Sequence, residues 1–245
     1  MYDYYLIFLL ALFVCMMFSA RASARVKSTF HAFQDIASSS RMTGYDTATR
    51  LLRRGGVTDI SVNKVKGSLT DHYHPTRKAV NLSQATYGSD SIAAVAVAAH
   101  EVGHVMQKKE GYLPYKLRQV LVPITNIGST LSIPLVLIGF LLDAFLMQGS
   151  ESQLGYTIAM IGVIGYGLST LFALVTLPVE INASKRAKQM LVEEGIITEA
   201  ELPYAEDMLG AAARTYLASL LTSIVLFFRF FMWVMILFGG RRRRR

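Results

Sequence analysis

One cysteine, Cys15, stands among 245 residues, which excludes an internal disulfide and any metal site built on paired thiolates. Positive charge is missing ahead of the first apolar stretch: Asp3 precedes residues 4–20, and Arg21, Arg25 and Lys27 follow them. A secretory signal peptide carries its charge on the opposite side. Ala22-Ser23-Ala24, despite its small-x-small look, therefore reads as part of an uncleaved anchor with the N-terminus outside. Lys and Arg are absent again from residues 148–153, Gln-Gly-Ser-Glu-Ser-Gln. Pro and Gly are absent from residues 91–102, which leaves nothing there to break a helix.

Apolar residues are in excess, at 52% of the chain with a mean hydropathy of +0.37. They concentrate in four stretches, 4–20, 120–147, 154–179 and 216–238. The last three exceed the ~20 residues that cross a bilayer as a helix, and the first is just long enough. The chain is thus an integral, multi-pass membrane protein. Fifteen Lys and Arg lie between the first two stretches, which places that region in the cytoplasm. Residues 148–153 then fall outside, and Lys185, Arg186 and Lys188 inside again. The C-terminus runs against this scheme, because a crossing by 216–238 puts residues 241–245, all Arg, outside. It also places Arg229 near mid-membrane, which costs about 3 kcal/mol unless the charge is paired or snorkels. The Arg run reads as a membrane-surface anchor, and the net charge of +8 as topology and lipid attraction, not nucleic-acid binding.

The cytoplasmic region holds His100-Glu101-Val102-Gly103-His104. Positions i and i+4 stack on one helical face, so both imidazoles reach one metal ion. Glu101 lies about 100° round the helix and is free to work on water as a general base. Ser89, Asp90 and Ser91 offer N-caps for the helix, and its Ala-rich run is apolar enough to be buried. A Glu or His in such a place needs a partner. The plainer reading, two core histidines satisfied by carbonyls, leaves Glu101 unexplained.

Upstream, residues 21–37 continue as an amphipathic helix with Val26, Phe30 and Phe33 on one side, ending at Ser38-Ser39-Ser40. Residues 46–54 form a short helix closed by Gly55-Gly56. Residues 59–66 alternate as a strand, and 69–83 form a hairpin with its turn at 73–78 and its returning strand at 79–83. An edge strand beside the motif helix suits a peptide that adds as a further strand. His72 and His74, two residues apart, are weaker ligand candidates, and their spacing favours structural or exposed roles.

A catalytic zinc takes three protein ligands and keeps one position open. Glu180 is the leading candidate for the third, an acid directly after the third stretch in Pro178-Val179-Glu180; an ion pair with Lys185 or Arg186 is its plainer role. The acids Glu193, Glu194, Glu199, Glu201, Glu206 and Asp207 read as a solvated loop. Tyr216, His74 and Arg214 stand as candidates for an oxyanion-stabilising group.

The run from Ala93 to His104, the segment Asp71-His72-Tyr73-His74-Pro75, Pro178-Val179-Glu180 with Ala183-Ser184, and the four apolar spans resemble the YugP-like family of bacterial membrane neutral zinc metallopeptidases. The chain is more distantly similar to the HtpX heat-shock protease and the CAAX prenyl protease, in which a Glu from a later helix completes the zinc site. The resemblance implies Zn2+ as cofactor and Glu180 as third ligand. Those distant relatives carry Asp four residues beyond that Glu, where Ser184 stands here.

The expected fold is mainly α and membrane-embedded, about four transmembrane helices with a zincin-like domain containing a small sheet. The expected segments are an anchor at 1–20, the cytoplasmic zincin-like domain at 21–119, a transmembrane hairpin at 120–179, a cytoplasmic segment with the third ligand at 180–215, and a hydrophobic helix with the Arg tail at 216–245. The expected activity is zinc-dependent endopeptidase action on membrane or membrane-proximal polypeptides at the cytoplasmic face of the cell membrane. His100, His104 and Glu180 bind the metal and Glu101 is the base. Besides polypeptide substrate and bilayer, a membrane protein partner or a second copy of the chain is an expected contact; nucleic acid is not. The alternative is an assembly factor or pseudoprotease with a structural zinc, which has no use for Glu101.

Overall fold

The computed structural model describes residues 2–146 and 153–242. Residues 148–152 of the expected outer loop and 243–245 of the Arg tail lie outside the described residues. In chain order the elements are α1 (Tyr2–Phe33), α2 (Gly44–Arg54), β1 (Ser61–Val65), β2 (His72–His74), β3 (Ala79–Ser83), α3 (Gln84–Tyr87), α4 (Ile92–Lys109), α5 (Leu113–Leu141) with a π-helical turn at Leu142–Leu146, α6 (Leu154–Glu193) and α7 (Leu202–Arg242). Helices α1, α5, α6 and α7 each contain a run long and apolar enough to cross a membrane. The fold is mainly α and membrane-embedded with one small sheet.

The long helices overrun the apolar stretches that signal them. Helix α6 passes Pro178 without a break and carries Glu180 within it, so 180–193 continues the third spanning helix. Helix α1 stops at Phe33, short of the expected 37. The reason is tertiary: Ile36 O accepts from Ile92 N (2.8 Å) and Ser38 N donates to Asp90 O (2.8 Å), an extended pairing with the start of α4 that a helix cannot make. Helix α2 starts two residues before the expected 46, because Thr43 and Asp46 form a reciprocal capping box.

The chain forms two compact units. The first comprises 1–19, 116–176 and 217–245. Helices α5 and α6 meet there through small residues: a Cβ on Gly162 would lie 2.6 Å from Ser132 O, and one on Gly128 2.9 Å from Gly165 O. Such contacts let backbones approach where lipid supplies no hydrophobic drive. Val136, Ala159, Val163, Val234 and Phe238 form its buried core, while Leu6, Ile127, Ile164 and their neighbours point outward, as suits an apolar solvent.

The second unit comprises 20–115 and 177–216. Its sheet has the order β1-β3-β2, with β1 parallel and β2 antiparallel to β3. The hairpin and its returning strand match the sequence reading, but Tyr73 and His74, expected in the turn, pair with Val80 and Ala79 as part of β2; the parallel pairing of β1 has no local signal. Helix α4 runs through the core against Leu51 and Leu52 of α2, Val80 and Leu82 of β3, and Ala187 and Leu191 of α6. Its alanines at 93, 94, 96, 98 and 99 are fully buried, and their small size brings neighbouring backbones close. Phe30 of α1 is buried with Ala93 and Met208, and Val26 and Phe33 pack around it.

Candidate metal centre

Helix α4 starts where its sequence says it should. Ser91 is the N-cap and accepts from Ala94 N, and no β-branched run or breaker follows before Gly103. That glycine sits between the two histidines for a reason outside the helix: a Cβ there would lie 2.6 Å from Ala183 O on α6. Real contacts are never that short, so α4 and α6 touch backbone to backbone. The approach carries Glu180 of α6 onto the histidine face of α4.

His100 Nε2 lies 3.2 Å, and His104 Nε2 3.4 Å, from Glu180 Oε2. These three residues form the one metal-capable group among the described residues, with ligand atoms within 4.8 Å of one another. Tetrahedral zinc with bonds of 2.0–2.2 Å places neighbouring ligand atoms about 3.3–3.5 Å apart. Both histidine-to-Glu180 distances match this spacing, and two imidazole nitrogens with one carboxylate oxygen are a donor set that zinc takes. Glu180 is 1% exposed, an acid that has no place in such a core without cations around it.

The outer nitrogens of both rings are engaged, which leaves the inner ones to face a metal. Arg186, which can only donate, gives its Nε–H to Asn182 Oδ1 (2.8 Å). Gln107 Nε2 donates to the same oxygen (2.9 Å) and to Val179 O (2.7 Å). That turns Gln107 Oε1 toward His104 Nδ1 (3.0 Å), which therefore holds the proton and keeps the Nε2 lone pair free. Ser184 Oγ lies 3.2 Å from His100 Nδ1, where a hydroxyl is able to accept that ring's proton in the same way.

Glu101 is buried on α4 beside this cluster. Burial raises its carboxyl pKa to about 7, and the charges of Glu180 and Asp71 add to the rise; His100 and a backbone hydrogen bond from Tyr73 of β2 oppose it. A carboxylate with a pKa near neutrality exchanges protons readily at working pH.

His72 and His74 do not join the group. His72 Nδ1 lies 2.9 Å from Thr70 O and its Nε2 3.1 Å from Asn81 Nδ2, and His74 Nδ1 accepts from Arg77 N. Arg214 is exposed and Tyr216 half-buried on α7. Glu180 faces the histidines, not Lys185 or Arg186; Arg186 pairs with Glu110 (2.7 Å). The acids beyond α6 are largely engaged, which corrects the reading of them as a solvated loop. Glu194 bridges Arg50 and Arg54, Glu206 holds Lys188, and Asp207 holds Arg25. Glu201 accepts from Ser39 N and Thr198 N.

Three residues at the site have no place in the sequence reading of it. Gln107 is a polar residue in an apolar helix, the kind of oddity that points to a buried partner. Tyr115 is buried with its ring 6.2 Å from that of His104. Asp71 binds Ser83 N through Oδ1 (2.7 Å) and leaves Oδ2 buried without a partner.

Residues 6–235 match the family described as "Putative neutral zinc metallopeptidase". The "Putative membrane protease YugP" of Bacillus subtilis (strain 168) is 42% identical over 220 residues, 90% of this chain and 92% of that protein. No solved structure matches the chain.

Proposed function

The chain belongs to this family of neutral zinc metallopeptidases, and from that premise we propose that it is a membrane-integrated zinc endopeptidase that hydrolyses membrane or membrane-proximal polypeptides at the cytoplasmic face. The observation that carries the reading is the convergence of His100, His104 and Glu180 into one metal-capable group with the buried carboxyl of Glu101 beside them. His100 Nε2, His104 Nε2 and a Glu180 oxygen hold the metal. Bound there, zinc supplies Lewis acidity toward a scissile carbonyl and lowers the pKa of water. Glu101 takes a proton from the attacking water and passes it to the departing amine, so that no free charge is left on either. Gln107 and Ser184 keep the two rings in the required tautomer. Tyr73, whose backbone meets Glu101, lies on the edge strand β2, within reach of a peptide bound in extended form.

Glu101→Gln keeps every ligand and removes the base. It is expected to retain zinc while cleavage of an unstructured, membrane-tethered substrate falls by about 10²–10⁴-fold or more. Metal content and cleavage are measured on the same preparation. Wild-type turnover that survives exhaustive chelation overturns the assignment; zinc retained with no activity in either form favours the structural-zinc alternative.

A further inference from the structure

The first unit contains a cavity of about 570 Å³, within the ~300–1,000 Å³ of small-ligand sites. Arg229, Trp233 and Ile236 of α7 line it at i, i+4 and i+7, one face of the helix. Tyr4 and Phe8, four residues apart on α1, line it as well. Arg229 is the charged group of this lining, beside the tyrosine hydroxyls and the indole N–H of Trp233, and among the described residues it makes no ion pair. Asp143, the one acid of this unit among the residues with described side chains, does not line the cavity. A guanidinium within a spanning segment is costly unless it snorkels or an anion comes to it.

We propose that this cavity binds an anionic phospholipid, with its phosphate drawn to Arg229 and an acyl chain along the apolar face of α7. Charge complementarity selects the anion and the wall selects the chain. A polypeptide segment in extended form would leave backbone N–H and C=O groups unsatisfied against such a wall, whereas an acyl chain has none to satisfy. Phospholipid is also the amphiphile that surrounds a spanning unit at the highest concentration. The site is independent of the metal centre and of any peptidase activity.

Trp233 is the one tryptophan of the chain and lines the cavity, so its fluorescence reports occupancy. The full-length protein is reconstituted in bilayers containing dibrominated phosphatidylglycerol or dibrominated phosphatidylcholine, whose bromines quench on contact. Wild type is expected to show about a fivefold preference for phosphatidylglycerol, roughly the worth of one cation meeting an anionic lipid. Arg229→Lys keeps most of that preference, and Arg229→Gln brings it to parity with quenching by phosphatidylcholine unchanged. A chain ending before Arg241 retains it. Parity in wild type, a preference that survives Arg229→Gln, or one lost with the Arg tail each overturns the proposal. If Arg229→Gln does not insert, relief of quenching in wild type by unlabelled phosphatidylglycerol but not phosphatidylcholine decides between the same outcomes.

Discussion

Glu101 is held in a condition that favours chemistry over stability. Its folded pKa of about 7 lies above the ordinary carboxyl value of 4.5, so the folded chain holds a proton that the unfolded chain releases between those values. For a raised acid the sign is that stability falls as pH rises through this window, and the full penalty is present above pH 7. In metal-free protein, Glu101→Gln is therefore expected to be more stable than wild type at pH 8, by up to about 3 kcal/mol. The two should converge near pH 4; an equal gap at both pH values speaks against a buried, titrating Glu101. The ligand and its support separate in the same way. Glu180→Ala removes charge and geometry together and should abolish zinc retention and hydrolysis. Ser184→Ala loses one contact to His100 Nδ1 and should weaken zinc affinity by only about 10–100-fold, as read by chelator competition.

At the scale of elements, the centre exists because α4 and α6 approach without side chains between them. Gly103→Ala places a methyl against Ala183 O, where the obstacle is backbone and cannot swing aside. The expected result is a folded protein whose helices part enough to separate Glu180 from the histidines, with zinc lost although all three ligands are retained. Metal analysis beside circular dichroism checks this, and normal zinc content in Gly103→Ala would show the contact to be dispensable. Half of this arrangement was legible in the chain itself. The cap at Ser91, the unbroken apolar run and the i, i+4 histidines announce α4, and the isolated acid after Pro178 announces Glu180. The other half arises only on packing. Gly103 looks like a helix weakness until α6 is beside it, and Gln107 and Ser184 acquire roles from residues 72–84 positions away. The third apolar stretch ends at 179 where α6 runs on to Glu193, and β1 pairs in parallel with a strand whose local signals speak only of the hairpin.

For the whole molecule, the apolar stretches and the Lys/Arg count made four spanning helices and a polar region between the first two readable in advance. Their overrun into the second unit was not, because a helix leaving the bilayer meets protein packing, which hydropathy does not report. The orientation of that unit toward the cytoplasm rests on charge asymmetry and is open to direct measurement. In a Cys15→Ala background, cysteine at Ser150 should react with an impermeant thiol reagent from outside. Cysteine at Ser68, exposed before β2, should react only after the membrane is opened. The reverse pattern would turn the metal centre to the exterior.

With the metal in the place assigned to it, residues 80 positions apart are tied together in a chain whose single thiol can make no covalent link within it. The ion then acts as a removable cross-link: its binding free energy becomes folding free energy, and the closed loop restricts the unfolded chain much as a disulfide would. Zinc supply would then govern how long each copy of the protein persists, as well as whether it works. A metal-starved copy would fail by loosening around α4 and α6 and become a substrate for other proteases before it could act as one.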